Sequence, residues 1–269
     1  MADPEIAAAK ADYRRRIRAA LERMGDDDRR RERCAPPPAP PAPAGSAAPP
    51  PPQPRPPHAR APAPPAPAPD PRSDAIAEVV AAAGAFRRAR AVALYLSTPR
   101  LREVDTRRVV GEALGREGCA VYLPRVDGRS SNMRMLRVTD LSECAPAPPF
   151  GIPEPGDADA AGRPRGDCLD APLDVVLMPG LGFERNGHRL GRGGGYYDAF
   201  VEGALGAARG RGWARPLLVG LAFRAQVVPG IPVDAHDRRV DVLVTADGAV
   251  ACTAYGRERW GGPAGAAGA

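Results

Sequence analysis

The sequence has 269 residues, of which 43% are hydrophobic, and it carries a formal net charge of +6 at pH 7. That length allows one large domain or two small ones. The five cysteines are widely spaced and include no Cys-x-x-Cys pair, which argues against a disulfide framework and a zinc site. No apolar run reaches membrane-spanning length, and acidic residues among the first 22 positions argue against a secretory signal, so we expect a soluble, cytoplasmic protein.

Residues 5–24 contain strong helix formers, and their apolar residues recur at the spacing of one helix face. Lys10 and Arg14 lie one turn apart on this helix, so both side chains can converge on one anion. Lys10 is also the only lysine among the 38 basic residues, and a compact ammonium differs from a guanidinium at a tight phosphate contact. The alternative is that these bases form the solvated face of the helix.

Residues 35–71 consist almost wholly of Pro, Ala, Ser and Arg, a composition that cannot bury a core. We expect them to be a disordered Pro/Ala-rich insertion between the N-terminal helix, residues 1–34, and the main domain, residues 72–258. Residues 259–269 are expected to form a flexible tail. A binding tract for a proline-recognising partner is the alternative for the insertion.

From residue 73 onward, helix-like patterns alternate with patterns of buried strands. The predicted helices are 73–86, with Ser73 as its cap, 104–118 and 196–209. The predicted strands are 91–97, 119–126, the half-exposed 131–138, 173–180, 216–223 and 238–245. This order predicts an α/β protein, a three-layer α/β/α sandwich with a mostly parallel sheet and helices on both faces.

A glycine-rich loop precedes the helix predicted to begin at Tyr196, and it contains Arg189, Arg192 and the three glycines at 193–195. Glycines let backbone N–H groups approach an anion and permit positive φ, and the following helix offers unpaired N–H groups. The loop has neither the P-loop ending nor the Rossmann acid. Phosphate binding and a plain tight turn are therefore both compatible with it. Asp198, in the first helical turn, fits either a magnesium ligand or a favourable partner of the helix dipole.

The run MPGLGFERNGHRLGRGGGYYDAF, residues 178–200, resembles the signature of the 5-formyltetrahydrofolate cyclo-ligase family, whose typical form is PGLAFD..G.RLGRG.GYYD. The stretches LYLSTPRLREVDT, VYLPRV, SNMRML and IPVDAHDRRVDVLV follow the family in the same order, as does the helix that carries Lys10. REVDT and SNMRML are most similar to the plant-type branch. Glu184 stands where the family usually has aspartate, and Gly194 stands where some members have lysine.

The resemblance implies an enzyme that uses ATP and Mg²⁺ to convert 5-formyltetrahydrofolate to 5,10-methenyltetrahydrofolate, releasing ADP and phosphate. In the implied mechanism the formyl oxygen is phosphorylated and N10 then attacks the formyl carbon. The residues implied for ATP are Lys10, Arg14, Arg189, Leu190, Gly191, Arg192, Gly193, Gly194, Gly195, Tyr196 and Tyr197. Those implied for the folate are Arg14, Leu96, Glu103, Arg192, Gly193, Gly194, Gly195 and Tyr196. Asp198 and Asp237 are the implied magnesium ligands, and Arg192, Tyr196 and Glu103 are the implied catalytic residues.

The expected partners are ATP and 5-formyltetrahydrofolate, with or without a polyglutamate tail, and we expect a monomer that binds neither nucleic acid nor membrane. Two rival functions remain compatible with parts of the sequence. A nucleic-acid-binding protein would use the arginine excess, but aromatic residues are only 5% and do not interleave with the arginines. A sugar-phosphate or acyl-CoA enzyme would use the same loop without consuming ATP. The plant-type resemblance makes a mitochondrial location the alternative to the cytoplasm.

Overall fold

The computed structural model describes residues 3–34, 70–98, 101–126, 132–148, 151–235 and 237–261. Its helices are α1 (Pro4–Cys34), α2 (Pro71–Ala82), α3 (Gly84–Arg88), α4 (Arg107–Leu114), α5 (Tyr196–Gly210) and α6 (Ala254–Trp260). Its strands are β1 (Ala91–Ala93), β2 (Ala120–Val126), β3 (Met133–Val138), β4 (Cys144–Ala147), β5 (Ile152–Pro155), β6 (Val175–Met178), β7 (Gly182–Phe183), β8 (Arg189–Leu190), β9 (Leu217–Leu221), β10 (Val242–Thr245) and β11 (Gly248–Ala251). Almost all of the Pro/Ala-rich insertion, residues 35–69, lies outside the described residues.

A seven-stranded sheet with the order β11-β10-β9-β6-β1-β2-β3 forms the centre of the described part of the chain. The five inner strands are parallel, and each edge strand, β3 or β11, runs antiparallel to its neighbour. Strands that are covered on both faces read as continuous apolar runs, and β6 (VVLM) and β9 (LLVGL) have this composition. The predicted mostly parallel α/β sheet is confirmed.

The side chains of the sheet alternate between two hydrophobic cores, one on each face. In β6, Val175 and Leu177 belong to the first core, whereas Val176 and Met178 belong to the second. Helices α2, α4 and α6 contribute to the first core, and α5 covers the second. The predicted three-layer α/β/α architecture is thus confirmed. No described helix is long and apolar enough to cross a membrane.

Helix α1 packs against the rest of the protein through its apolar stripe. Ile17 and Leu21 are 3% and 1% exposed. The contact of Ile17 is close, because a Cβ added at Gly182 would lie 2.5 Å from its Cδ1. Arg102 adds a polar contact, since its Nη1 donates to the carbonyl of Leu21 at 2.7 Å. Apolar burial therefore seats α1 on the sheet domain although 35 residues separate its last residue from Asp70.

Two predicted boundaries differ from the structure. Ser73 does not cap α2: the cap is Asp70, whose side chain accepts from the backbone N–H of Arg72 at 3.0 Å. Ser73 is instead buried and accepts a hydrogen bond from the N–H of Asp105. At the other end, the expected tail at 259–269 begins too early, because α6 continues to Trp260, which is 5% exposed in the first core.

Short elements are absent from the sequence prediction. They are the hairpins β4–β5 and β7–β8, the edge strand β11 and the helices α3 and α6. Prolines occur in β4 and β5, where they weaken any strand signal, and β7 and β8 have only two residues each. The β7–β8 hairpin leads directly into the glycine loop.

Candidate active site

A cavity of about 340 Å³ lies beyond the carboxyl ends of β1 and β6, where α/β sheets commonly bind ligands. Tyr95 and Leu96, which follow β1, form part of its wall, and Pro179 and Gly180, which follow β6, form another part. The glycine loop and the first turn of α5 close one side. Most of the lining is apolar, so polar groups of a ligand must meet a few specific side chains.

The glycine loop combines two backbone requirements with an open helix end. Gly193 has φ 109° and Gly195 has φ 70°, so both occupy conformations that L side chains rarely adopt. Gly194 has no positive φ, but a Cβ added there would lie 2.5 Å from Cε2 of Tyr196, so that ring would have to move. Gly195 is the N-cap residue of α5, and no side-chain hydrogen bond caps this helix. The N–H groups of the first turn therefore face the loop without a capping side chain, as an anion site requires.

Arg189 is buried beneath the loop and forms an ion pair with Asp198. Its side chain is 3% exposed, and its Nη2 lies 2.9 Å from Oδ1 of Asp198. The same guanidinium donates to the carbonyl of Pro179 and lies 5.8 Å from the centre of the Tyr197 ring. Its Nε is buried and has no partner among the described residues. Arg189 therefore places a positive charge at the cavity wall.

Arg192 forms a second ion pair, with Glu103. The Nε of Arg192 lies 3.1 Å from Oε1 of Glu103, whose side chain is only 7% exposed. Arg192 also donates through Nη2 to the carbonyl of Leu101. Burial raises the pKa of Glu103 above its ordinary value, and the neighbouring charge of Arg192 offsets part of that rise. The pair thus places a carboxylate of increased basicity inside the cavity.

Lys10 and Arg14 of α1 also reach this region. Lys10 Nζ lies 2.5 Å from Oδ2 of Asp237, and the lysine side chain is 13% exposed. Arg14 donates through Nε to the carbonyl of Gly191 at 2.9 Å. Burial lowers the pKa of Arg14, with a smaller contribution from the charge of Arg18. The alternative of a solvated basic face is therefore wrong for Lys10 and Arg14.

Each of the three ion pairs joins a base implied for ATP to a carboxylate implied for magnesium or folate. Asp198 and Asp237 each bond to described residues through one oxygen and leave the other without a partner in that part of the chain. The described residues contain no group of three or more His, Cys, Asp or Glu suited to a metal ion. Magnesium commonly binds one or two carboxylates together with phosphate oxygens, and this donor set fits that pattern.

The structure brings most of the implied residues to the cavity. Its lining includes Leu96, Glu103, Arg189, Gly191, Arg192, Gly194, Gly195, Tyr196, Tyr197 and Asp198. Lys10, Arg14 and Asp237 lie beside it through the contacts above, and Gly193 lies next to Arg14, at 3.8 Å from Cζ for an added Cβ. Leu190 is different, because its side chain is 1% exposed in the first core and only its backbone belongs to the loop hairpin.

Several cavity residues were not identified from the sequence. Pro124, Val126, Met133, Ile152 and Glu154 come from β2, β3 and β5. They are apolar or isolated residues whose strands converge only in the folded protein, so no local signal marks them. Arg18 also lines the cavity. Its position four residues after Arg14 was a usable signal, because i and i+4 share a helix face.

Comparison with known proteins gives consistent matches. The profile of the 5-formyltetrahydrofolate cyclo-ligase family matches residues 59–246. The mitochondrial 5-formyltetrahydrofolate cyclo-ligase of Arabidopsis thaliana is 38% identical over 190 residues, covering 68% of this chain and 68% of the relative. The Mus musculus 5-formyltetrahydrofolate cyclo-ligase is 32% identical over 175 residues, covering 64% and 81%.

A solved structure supports the same assignment. The NMR structure of Aquifex aeolicus 5,10-methenyltetrahydrofolate synthetase superposes with a TM-score of 0.52 at 30% identity, covering 67% of this chain and 80% of that one. The profile match spans more than half of the chain and includes the β7–β8 hairpin, the glycine loop and the first turn of α5. On these grounds, the chain belongs to the 5-formyltetrahydrofolate cyclo-ligase family.

Proposed function

We propose that the cavity is the active site at which this chain converts 5-formyltetrahydrofolate to 5,10-methenyltetrahydrofolate, with ATP as phosphoryl donor. Family membership supports the reaction. The observation that carries the location is the meeting of three ion pairs, Lys10–Asp237, Arg189–Asp198 and Arg192–Glu103, around one glycine loop. When ligands bind, each cation of such a pair can contact a phosphate instead, and each carboxylate can contact a metal ion or the folate.

The phosphates of ATP are assigned to the loop side of the cavity. The uncapped first turn of α5 supplies N–H donors and the positive end of the helix dipole. Arg14 approaches the loop at Gly191, and Arg189 supports it from below. Lys10 reaches the same side at Asp237. This arrangement suits phosphoryl transfer, which depends on positioning and charge neutralisation more than on a nucleophilic side chain.

The folate is assigned to the apolar side of the cavity. Leu96, Val126, Met133 and Ile152 provide walls for flat rings. Glu103 is the buried polar group on this side, held in place by Arg192. The Tyr196 ring covers Gly194, at the junction between the two ligands. The formyl group on N5 would therefore lie where phosphate and folate meet.

The chemistry follows from the weak leaving ability of a formyl oxygen. The bond between the γ-phosphorus and ADP breaks as the formyl oxygen binds that phosphorus, which produces an iminium phosphate. N10 then bonds to the formyl carbon and loses its proton, and the carbon–oxygen bond breaks to release phosphate. Glu103 is a suitable acceptor for the N10 proton, because burial raises its pKa. Arg192 would hold that carboxylate and the departing phosphate close together.

Magnesium would be held by Asp198 and Asp237, each through the oxygen that described residues leave open. When bound, it would neutralise phosphate charge during transfer. Asp198 also fixes Arg189, and Asp237 also fixes Lys10, so the two carboxylates position bases as well.

The test is to follow methenyl product and ADP together, with and without 5-formyltetrahydrofolate. We expect ADP release only when methenyl product forms, in a ratio of about one to one. ADP release without the folate, or no methenyl product at all, contradicts the proposal. Turnover of a sugar phosphate or an acyl-CoA without ADP would support the rival enzyme class.

We also propose a mitochondrial location and a monomeric state. The location rests on the plant-type motifs and on the printed name of the Arabidopsis relative, "mitochondrial". Imaging of a tagged full-length protein beside a mitochondrial marker tests it, and a uniform cytoplasmic signal would contradict it. The monomeric state is tested by light scattering coupled to size-exclusion chromatography.

A further inference from the structure

Arg18 is a basic residue of the cavity wall to which neither the family motifs nor the three ion pairs give a role. It lines the cavity together with Leu101 and Arg192, and the residue is exposed. No carboxylate of the described residues pairs with its guanidinium. Because Arg18 also adds to the positive potential at Arg14, an anionic group of a ligand is the partner that this position favours.

The position of Arg18 along α1 indicates which ligand it faces. Lys10, Arg14 and Arg18 are spaced four residues apart and form one stripe on the helix. At 1.5 Å per residue, Arg18 begins about 12 Å from Lys10 along the helix axis. Lys10 marks the end of the stripe next to Asp237, and Arg14 contacts the loop at Gly191. Arg18 is therefore the member of the stripe farthest from Asp237.

The segment that carries Glu103 contacts α1 three residues after Arg18, at Leu21. Arg102 anchors α1 to this segment by donating to the carbonyl of Leu21 at 2.7 Å. Leu101 and Glu103 flank Arg102, and both line the cavity. The stripe thus runs from the phosphate side, at Lys10, to the folate side, at Arg18.

The dimensions of the cavity determine which part of the folate reaches Arg18. 5-Formyltetrahydrofolate has a bicyclic pterin, an aminobenzoyl ring and a glutamate with two carboxylates. The cavity, at about 340 Å³, lies at the small end of the usual range for ligand pockets, about 300–1,000 Å³. The rings suit its apolar interior, so the charged glutamate must extend to the mouth. An exposed guanidinium can bind a carboxylate there through two parallel hydrogen bonds.

We propose that Arg18 binds the glutamate carboxylates of the folate and increases the affinity for substrates with longer glutamate tails. The inference rests on the proposed function. Each additional γ-linked glutamate carries one more carboxylate, and charges within about 8–10 Å of Arg18 are only partly screened at physiological salt. The attraction therefore increases with tail length and decreases with ionic strength.

The experiment measures KM for 5-formyltetrahydrofolate with one and with three glutamates, at low and at high salt, in the full-length protein. Arg18→Ala should raise KM for the monoglutamate about 1.5- to fivefold at low salt, the range of a solvent-accessible charge pair. The increase should be larger for the triglutamate and should shrink at high salt. kcat and the KM for ATP should stay unchanged. Arg18→Lys, which keeps the charge, should restore most of the preference for the longer tail.

The matched control is Arg16→Ala, which removes an equal charge from the same helix. Arg16 lies over the Tyr13 ring at 5.4 Å and is not part of the cavity lining. Arg16→Ala should leave unchanged the ratio of the KM for the triglutamate to the KM for the monoglutamate. An equal effect of both variants, a raised KM for ATP with Arg18→Ala, or an unchanged ratio would overturn the inference while leaving the proposed function intact. Failure of the unmutated protein to form methenyl product from either folate would instead contradict the proposed function itself.

Discussion

Lys10 Nζ lies 2.5 Å from Oδ2 of Asp237, so an ion pair ties the first helix to a loop 227 residues further along the chain. Lys10→Arg should weaken ATP binding by about 1.5–3 kcal/mol, the value of a charge-assisted hydrogen bond, because the larger guanidinium cannot take the compact contact of the ammonium. Folate affinity should change much less. Titration of each ligand in turn measures the difference.

The control for this substitution is Arg15→Lys, the reverse exchange on the same helix. The Arg15 side chain is 79% exposed and pairs with Asp12 within the helix. Arg15→Lys should leave the affinities for ATP and for the folate unchanged. Equal weakening of ATP and folate by Lys10→Arg would show that the lysine acts by seating α1 and not by contacting phosphate.

Asp198→Asn should abolish coupled turnover, because asparagine keeps an oxygen but loses the charge that would hold magnesium and balance Arg189. Arg189 is 3% exposed, so the loss of its counter-charge should also cost about 1–3 kcal/mol of the free energy of unfolding. Product formation across a magnesium titration and thermal melts measure the two effects separately. Near-normal turnover at ordinary magnesium would disprove the metal assignment.

Asp241→Asn is the control for Asp198→Asn, because it should reduce stability without affecting magnesium binding. Asp241 is a buried acid away from the cavity, where it accepts hydrogen bonds from Arg215, Thr253 and the N–H of Leu218. Its substitution should lower the melting temperature by a similar mechanism. The magnesium dependence of the molecules that stay folded should not change.

Glu103 should make the folded protein less stable as pH rises. Burial raises its pKa in the folded state, so the folded chain binds more protons than the unfolded chain between the ordinary glutamate pKa, about 4.3, and the raised value. In that window the free energy of unfolding decreases with increasing pH. Glu103→Gln should remove this contribution and abolish turnover. Urea denaturation of both proteins across the acidic range measures it, and identical pH slopes would contradict the prediction.

Gly194→Ala should impair catalysis more than stability. The added Cβ would lie 2.5 Å from Cε2 of Tyr196, so the ring must move. Its present position is the one proposed for the junction between the two ligands. A displacement of about 1 Å at a reacting centre can cost about 100-fold in rate, and we expect kcat/KM to fall 10- to 100-fold. Gly206→Ala is the matched control within α5, because nothing lies within 4 Å of its added Cβ. It should raise stability by about 0.5–1 kcal/mol without altering kinetics.

Local sequence signals were sufficient to predict the bounds of elements whose ends are marked by a glycine or by a clear alternation. Helix α5 was predicted at 196–209 and is observed at Tyr196–Gly210, because the left-handed Gly195 interrupts the chain before it. The alternation of apolar and polar residues also predicted strand β3, at 131–138, and the structure has it at Met133–Val138. Helix α6 was not predicted because its seven residues show no clear periodicity. Its cap, Thr253, accepts from the N–H of Gly256 at 3.0 Å and can be assigned only with the structure.

Many residues of the candidate site could be named from the sequence, but the ion pairs between them could not. The glycine-loop motif and Glu103 were identified from the resemblance, and the cavity contains both. The partners could not be identified, since no pattern in the chain connects Lys10 with Asp237 or Arg192 with Glu103, 89 positions away. Such pairs result from the way the sheet brings its strand ends together.

Two of the three ion pairs, Lys10–Asp237 and Arg189–Asp198, should also make the binding of nucleotide depend on the binding of metal. Phosphates that attract Lys10 and Arg189 release Asp237 and Asp198, and a cation bound to these carboxylates releases the two bases. Each ligand would thereby remove a cost that the other would meet alone, so we expect their binding to be cooperative. By thermodynamic linkage the effect is reciprocal, and coupling energies of this kind are typically about 1–3 kcal/mol. Nucleotide and metal should accordingly occupy this site together much more often than either occupies it alone.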